Sequence, residues 1–205
     1  MTSFPFYSPE LARTTSEEPS GATEALTELL RSDQLHELIE RGDVTLAMIR
    51  PNVGPDANLE SLPDVMAAEV IEGEIQGLGV MAKFSLIFDE EGIEEFYDGP
   101  AKTESMIPAL PLKNQDFENR WDEFKNTMTS GPVTVFLLHS SNGDAVSTWR
   151  SHLGHWNIEE VRDPQTIRGR HGVDNLNNLV HGSDSPTSVA REVKIISALL
   201  ERIQG

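Results

Sequence analysis

Near the end of the chain, the run Asn178-Leu179-Val180-His181-Gly182-Ser183-Asp184-Ser185 sets a histidine between an apolar pair and a polar turn. An imidazole with the ordinary pKa of about 6.5 is largely unprotonated at pH 7, so it can serve as a base or a nucleophile. Ser183 and Asp184 suit hydrogen bonds to the N–H groups that open a following helix. Glu192 lies a long turn further on and could return to the His181–Ser183 pair. Upstream, Gln165-Thr166-Ile167-Arg168-Gly169-Arg170 supplies two guanidinium forks of the kind that grip phosphate. Residue types alone leave both a structural and a chemical role open for His181. His36, His139, His152 and His155 lack such surroundings and read as structural. His171 reads the same way, although it lies close to the arginines.

The elements that must carry these residues follow from periodicity. Residues 1–20 mix Ser, Thr, Pro and Glu without apolar spacing and read as a flexible arm. From Ala22 to Arg41, Leu26, Leu29, Leu30, Leu35 and Ile39 recur at helical spacing and Gly42 marks a stop. Residues 21–43 are therefore expected to form an added amphipathic helix, packed on the chain's own sheet or on a partner. Val44 to Ile49 reads as a buried strand closed by Arg50-Pro51-Asn52. Residues 53–63 read as a loop, Val65 to Ile75 as a helix, Leu78 to Phe88 as a second strand and Glu90 to Tyr97 as a helix. Residues 98–116, with Gly99, Pro100, Pro108 and Pro111, read as an irregular insertion. Phe117 to Met128 is helical, with Phe117, Trp121, Phe124 and Met128 on one face. Val133 to Leu138 is a third strand, Asp144 to Leu153 a helix, and Pro186 opens a last helix to about Ile203. This order makes an α+β pattern, compatible with a ferredoxin-like split βαβ sheet whose fourth strand the pattern does not place. Residues 154–185 form a long stretch with few apolar runs, and such stretches are often functional loops.

Composition narrows the partners. The 205 residues carry 16 Lys+Arg against 34 Asp+Glu, a formal charge of -18. Such a charge repels phosphate polyanions, so no nucleic-acid partner and no anionic membrane surface are expected. The acid is unevenly placed, with residues 1–130 at net -17 and residues 131–205 at net -1. Any phosphate ligand must therefore rely on the arginines of the last third. With no Cys, thiolate metal sites and Cys nucleophiles are excluded. No apolar run approaches the ~18 residues of a membrane helix, and Met1 to Glu10 lacks the features of a signal peptide, so a cytoplasmic protein is expected.

The order of residues is more specific than their types. The stretch Asn178 to Ser185, N-x-x-H-G-S-D-S, resembles the active-site signature of nucleoside diphosphate kinases. Thr166-Ile167-Arg168-Gly169 is similar to that family's T-I-R-G segment. Trp149-Arg150 with Leu153-Gly154 is similar to its R-x-x-(L/M)-G helix ending. Ser130-Gly131-Pro132-Val133 resembles its S-G-P-V strand entry, and Ala47-Met48-Ile49-Arg50-Pro51-Asn52 its first strand and I-K-P-D turn. Phe96-Tyr97 resembles its helical tyrosine. The resemblance covers about Val44 to Ile203. It implies a ferredoxin-like domain over 44–205, a four-stranded antiparallel sheet flanked by helices, with the insertion around 98–116.

The resemblance also implies a ping-pong phosphoryl transfer from a nucleoside triphosphate to a nucleoside diphosphate through a phosphohistidine. By position His181 is the nucleophile, and Glu192 and Ser183 orient its ring. Arg150 and Arg168 clamp the phosphates, Tyr97 supports the phosphate end, Asn178 binds a ribose hydroxyl and a phosphate oxygen, and Arg50 stands for the family's phosphate-binding lysine. Mg2+ is held through the nucleotide's phosphates, with no protein metal cage. Homo-oligomers are usual in the family. This chain departs from the pattern at five places. Arg50 replaces the lysine, Asn52 an aspartate and Trp156 a phosphate-binding threonine. Asn175 stands where an apolar side chain stacks on the base, and Arg170-His171 replaces an acidic–aromatic pair. The alternative is a catalytically weak or inactive nucleotide-binding regulatory or scaffold protein with the same fold.

Overall fold

A computed structural model describes residues 20–51, 77–97, 116–172, 174–175 and 178–204. The expected arm, the helix at Val65 to Ile75, Asn52 and the insertion lie outside the described residues, apart from Ser20 and Asp116.

The expected N-terminal helix is broken in two. Helix α1 spans Ser20–Arg31 and α2 spans Asp33–Glu40. Between them Ser32 leaves the helical region, with φ -67 and ψ 137, and its hydroxyl accepts a hydrogen bond from the Leu35 N–H. A serine oxygen that satisfies a free N–H restarts a helix, which an unbroken leucine spacing conceals. Leu30, Leu35, Leu38 and Ile39 are buried, so the pair covers the chain's own core.

Strand β1, Val44–Ile49, is buried along its whole length. Continuous apolar character marks a strand covered on both faces. It pairs with β3, Val133–His139, which pairs with β2, Gly79–Leu86. The strand missing from the pattern is β4, Val180–Gly182, which pairs with the other edge of β1. It lies inside the stretch expected to be a loop. Three residues are too few for any alternation to show. The order β2-β3-β1-β4, antiparallel throughout, is the ferredoxin-like sheet that was expected.

Each face of the sheet has its own core. Leu46 and Met48, with Phe84 and Leu86 of β2 and Val133, Val135 and Leu137 of β3, face α1, α2, α3 (Glu90–Phe96), α4 (Asp116–Thr129) and α7 (Pro186–Gln204). Ala47, Ile49, Phe136, Leu138 and Val180 face α5 (Ala145–Leu153) and α6 (Ile167–His171). Helix α6 is a second correction to the expected loop. Its start is capped by Thr166, whose hydroxyl accepts from Gly169 N–H at 3.2 Å. No helix among the described residues is long and apolar enough to cross a membrane.

Trp149 of α5 is wholly buried and drives its indole under β4, where Nε1 donates to the His181 carbonyl at 3.4 Å. Only a glycine leaves room for it. A Cβ on Gly182 would stand 2.3 Å from the indole nitrogen. Gly182→Ala is expected to destabilise the fold by about 1–3 kcal/mol, the usual cost of overpacking. Urea unfolding measures this, and an unchanged midpoint would show that the indole moves aside freely.

Candidate active site

His181 is the middle residue of β4 and stands opposite Met48 of β1. Directly opposed residues of an antiparallel pair point to one face. The imidazole is thus carried to the face that α3 and α7 cover, while Trp149 fills the other. Its side chain keeps 13% of its surface exposed.

The approach to β4 is strained. Leu179 has φ 70, the only positive φ of a non-glycine residue among those described. Val180 N–H closes onto the Asn178 carbonyl at 2.9 Å, a tight γ-turn. Backbone of this kind persists only where its surroundings hold it. Arg50 N–H donates to the Leu179 carbonyl at 2.9 Å, and the Arg168 guanidinium donates to the Val180 carbonyl through Nε at 3.3 Å and Nη2 at 3.0 Å.

Helix α7 brings Glu192 to the ring. The carboxylate is buried, and one oxygen, Oε2, accepts from Ser183 Oγ at 2.6 Å and lies 3.1 Å from His181 Nε2. A carboxylate oxygen only accepts, so Nε2 carries the proton. In the neutral ring the lone pair then sits on Nδ1. No described residue bonds to Nδ1. Phe96 and Tyr97, at the end of α3, set their rings edge-on to the imidazole at 5.1 and 5.5 Å between centroids. His181, Ser183 and Glu192 therefore converge, as their order along the chain suggested, and Tyr97, expected there only from the resemblance, joins them.

Cations line the same region. The Arg50 guanidinium lies 6.0 Å from the centre of the Tyr97 ring and 5.1 Å from that of Phe124. Phe124 escaped the sequence reading as a site residue because its place in the α4 apolar stripe already explained it. Burial raises the Tyr97 phenol above its ordinary value, against the opposing pull of Arg50, so the hydroxyl keeps its proton. Burial, reinforced by the Arg50 charge, lowers Arg168 to about 9, which leaves it cationic at neutral pH. Arg168 also donates through Nη1 to the Gly154 carbonyl at 3.1 Å. Much of its fork is thus committed to backbone, and it anchors β4 as well as facing Arg50.

Asn178 is buried. Its amide nitrogen donates to the Asn175 carbonyl at 3.2 Å, and its Oδ1 has no hydrogen-bond partner among the described residues. A buried acceptor left open is costly unless a ligand or water supplies a donor. Arg150 stands apart from the cluster. It is exposed near the end of α5 and lines a shallow cavity with Gly42, Ser147, Asp184 and Pro186, yet its charge is felt at Arg168. Asn175 serves the fold: its Oδ1 accepts from Ile158 N–H at 2.9 Å and its Nδ2 donates to Asn157 Oδ1 at 3.0 Å. Trp156 is half-buried and stacks on His155, with centroids 5.8 Å apart. No three His, Asp or Glu side chains among the described residues gather to hold a metal ion. The donors around His181 are guanidinium and hydroxyl groups, which suit phosphate oxygens rather than a bare cation.

Comparison with known proteins bears on this geometry. A family model described as nucleoside diphosphate kinase matches residues 43–199. A probable nucleoside diphosphate kinase 5 of Arabidopsis thaliana is 33% identical over 140 residues, covering 64% of this chain and 85% of that protein. Nucleoside diphosphate kinase 6 of Danio rerio is 29% identical over 153 residues, 73% of each chain. Among solved structures, the nucleoside diphosphate kinase of Aquifex aeolicus superposes with a TM-score of 0.53 at 27% identity, over 75% of this chain and 94% of that one. The apo enzyme of Encephalitozoon cuniculi gives the same score and identity over 87% of its length. The match begins at the foot of β1 and runs into α7, and with it the chain belongs to the nucleoside diphosphate kinase family, as a divergent member.

Proposed function

We propose that the protein moves the γ-phosphoryl group of a nucleoside triphosphate to a nucleoside diphosphate by a ping-pong route through His181. Family membership supports nucleotide phosphotransfer in general. The observation that favours the specific route is the contact of Nε2 with Glu192, which leaves the lone pair on Nδ1. Attack by Nδ1 forms an N–P bond and breaks the bond from the γ-phosphorus to the bridging oxygen, so a nucleoside diphosphate leaves. The ring then carries a phosphoryl group on Nδ1 and a proton on Nε2, and the Glu192 carboxylate offsets its positive charge. A terminal oxygen of a second diphosphate attacks the phosphorus and returns the ring to its resting form.

The other residues divide the work by their chemistry. Arg50 and Arg168 face charge that spreads over the transferred oxygens, where fixed cations act most strongly. The protonated Tyr97 hydroxyl donates to a phosphate oxygen. The open Oδ1 of Asn178 accepts from a ribose hydroxyl. Arg150 reaches the phosphates by rotating its side chain. Mg2+ bound to the nucleotide's phosphates supplies charge neutralisation, while the side chains here hold the phosphates themselves. The reading extends, with the family, to a homo-oligomer in the cytoplasm.

Incubation with γ-labelled ATP is expected to place an acid-labile label on the protein. The label should be absent from His181→Ala and should pass to added nucleoside diphosphate. A wild type that binds ATP without taking label would leave the regulatory or scaffold alternative in place of the enzyme. Arg50→Met is expected to weaken triphosphate binding by about 1.5–3 kcal/mol, the size of a charged hydrogen bond. Calorimetry measures this, and equal affinity would remove Arg50 from the phosphate site. Glu192→Gln keeps the shape but loses the charge, so the labelling rate should fall about 10²-fold while affinity for nucleotide holds. A rate equal to wild type would show that the carboxylate does not support the ring.

A further inference from the structure

Arg191 is the neighbour of Glu192 on α7, and its side chain turns the other way. Nη1 donates to the Glu95 carbonyl and Nη2 to the Phe96 carbonyl, both at 2.9 Å. These are the last carbonyls of α3, beyond its regular i to i+4 ladder, and a cation there also meets the negative end of the helix dipole. Tyr97 is the residue that ends α3. Phe96 and Tyr97 are the two rings packed edge-on against His181. Arg191 Nη2 also lies 3.8 Å from Glu192 Oε1, the oxygen that does not face the imidazole. The imidazole is therefore held between a carboxylate and an aromatic pair, and one guanidinium touches the backbone of the pair and the far side of the carboxylate.

The far end of α3 is fixed to the same helix. Asp89 caps α3 by accepting from Gly92 N–H at 2.6 Å, and Arg202 of α7 reaches Asp89 at 3.4 Å. That outer bridge is exposed and contributes little. The inner fork is donated to two carbonyls from a half-buried side chain, at the end of α3 that carries Tyr97.

We propose that Arg191 is a positioning residue, which holds Phe96 and Tyr97 against one side of the His181 ring while Glu192 holds the other. Its part in turnover rests on the reading of His181 as the nucleophile. Its effect on the ring does not.

Two readouts separate the cases. In the wild type, 15N–1H correlation spectra of the imidazole should show a single tautomer with a persistent Nε2–H signal. In Arg191→Met that signal should broaden or vanish, although thermal melting shows a folded protein. Arg191→Lys keeps a cation but can reach only one carbonyl at a time, so it should restore the signal in part. In the labelling assay Arg191→Met should slow phosphohistidine formation about 10- to 100-fold, the penalty for a misplaced reacting group, with KM for ATP within about two-fold. The exposed Lys194→Ala serves as the control and should match wild type in both. A ring signal and labelling rate in Arg191→Met equal to wild type would overturn the proposal. Loss of the ring signal with no label in any protein, wild type included, would uphold the positioning role and end the phosphotransfer reading instead.

Discussion

The site depends on one buried carboxylate oxygen. Glu192 Oε2 accepts from Ser183 and meets His181 Nε2, one partner in the short strand β4 and the other directly after it. Burying a carboxylate is expensive unless donors surround it. Here the donors are the residues whose placement matters most, so the energetic requirement of the carboxylate and the geometric requirement of the ring are met by the same contacts. The tautomer follows from this, because the oxygen accepts and cannot donate. Nothing else near the imidazole needs to choose which nitrogen carries the proton.

That carboxylate is only as well placed as α7. The helix packs against β1, α1, α2 and α3. Its apolar residues Val189, Val193, Ile196 and Leu199 are buried in the larger core. The N-terminal helices therefore do more than decorate the sheet. Leu30, Leu35 and Ile39 join the same core, and Arg31 pairs with Glu201 near the end of α7. A segment outside the family match thus supports the helix that delivers Glu192. On the opposite face Trp149 supports β4 from below, through the gap at Gly182. The ring is fixed by a helix on one side of the sheet and its strand by a helix on the other.

How much of this the sequence disclosed follows from the range of each interaction. Strands β1 and β3 were legible because both faces of each are buried, which leaves a mostly apolar run with Thr45 and Thr134 as single interruptions. Helices α3, α4, α5 and α7 were legible from their spacing and flanking residues. Strand β4 was hidden because three residues make no pattern, and α6 because five residues make scarcely more than a turn. The break at Ser32 was hidden because a serine in a helical run is unremarkable until its hydroxyl is seen to accept from Leu35. In the site, the convergence of His181, Ser183 and Glu192 was legible in their order along the chain. The double duty of Arg168 was not, because its partners are backbone carbonyls, which every residue carries. Phe124 beneath Arg50 was legible only as core.

The departures from the family pattern reach both sides of the site, since Arg50, in place of a lysine, lies beside the Tyr97 ring that packs on His181. Around His181 stand its carboxylate, the Ser183 hydroxyl and the guanidinium groups of Arg50 and Arg168. On the other side Asn175 gives its amide to the 157–160 turn, and Trp156 stacks on His155. A side chain that binds its own backbone has little left to offer a ligand, so these positions now stabilise the loop that carries them. The charge distribution points the same way. With most of the excess acid in the first two thirds of the chain, long-range forces oppose an incoming anion, but salt screens them beyond about 8 Å. The guanidinium groups of Arg50 and Arg168 act at contact range in a partly buried setting, where screening is weak. The attraction these groups offer an anion is therefore short-ranged, confined to the few ångströms around the imidazole.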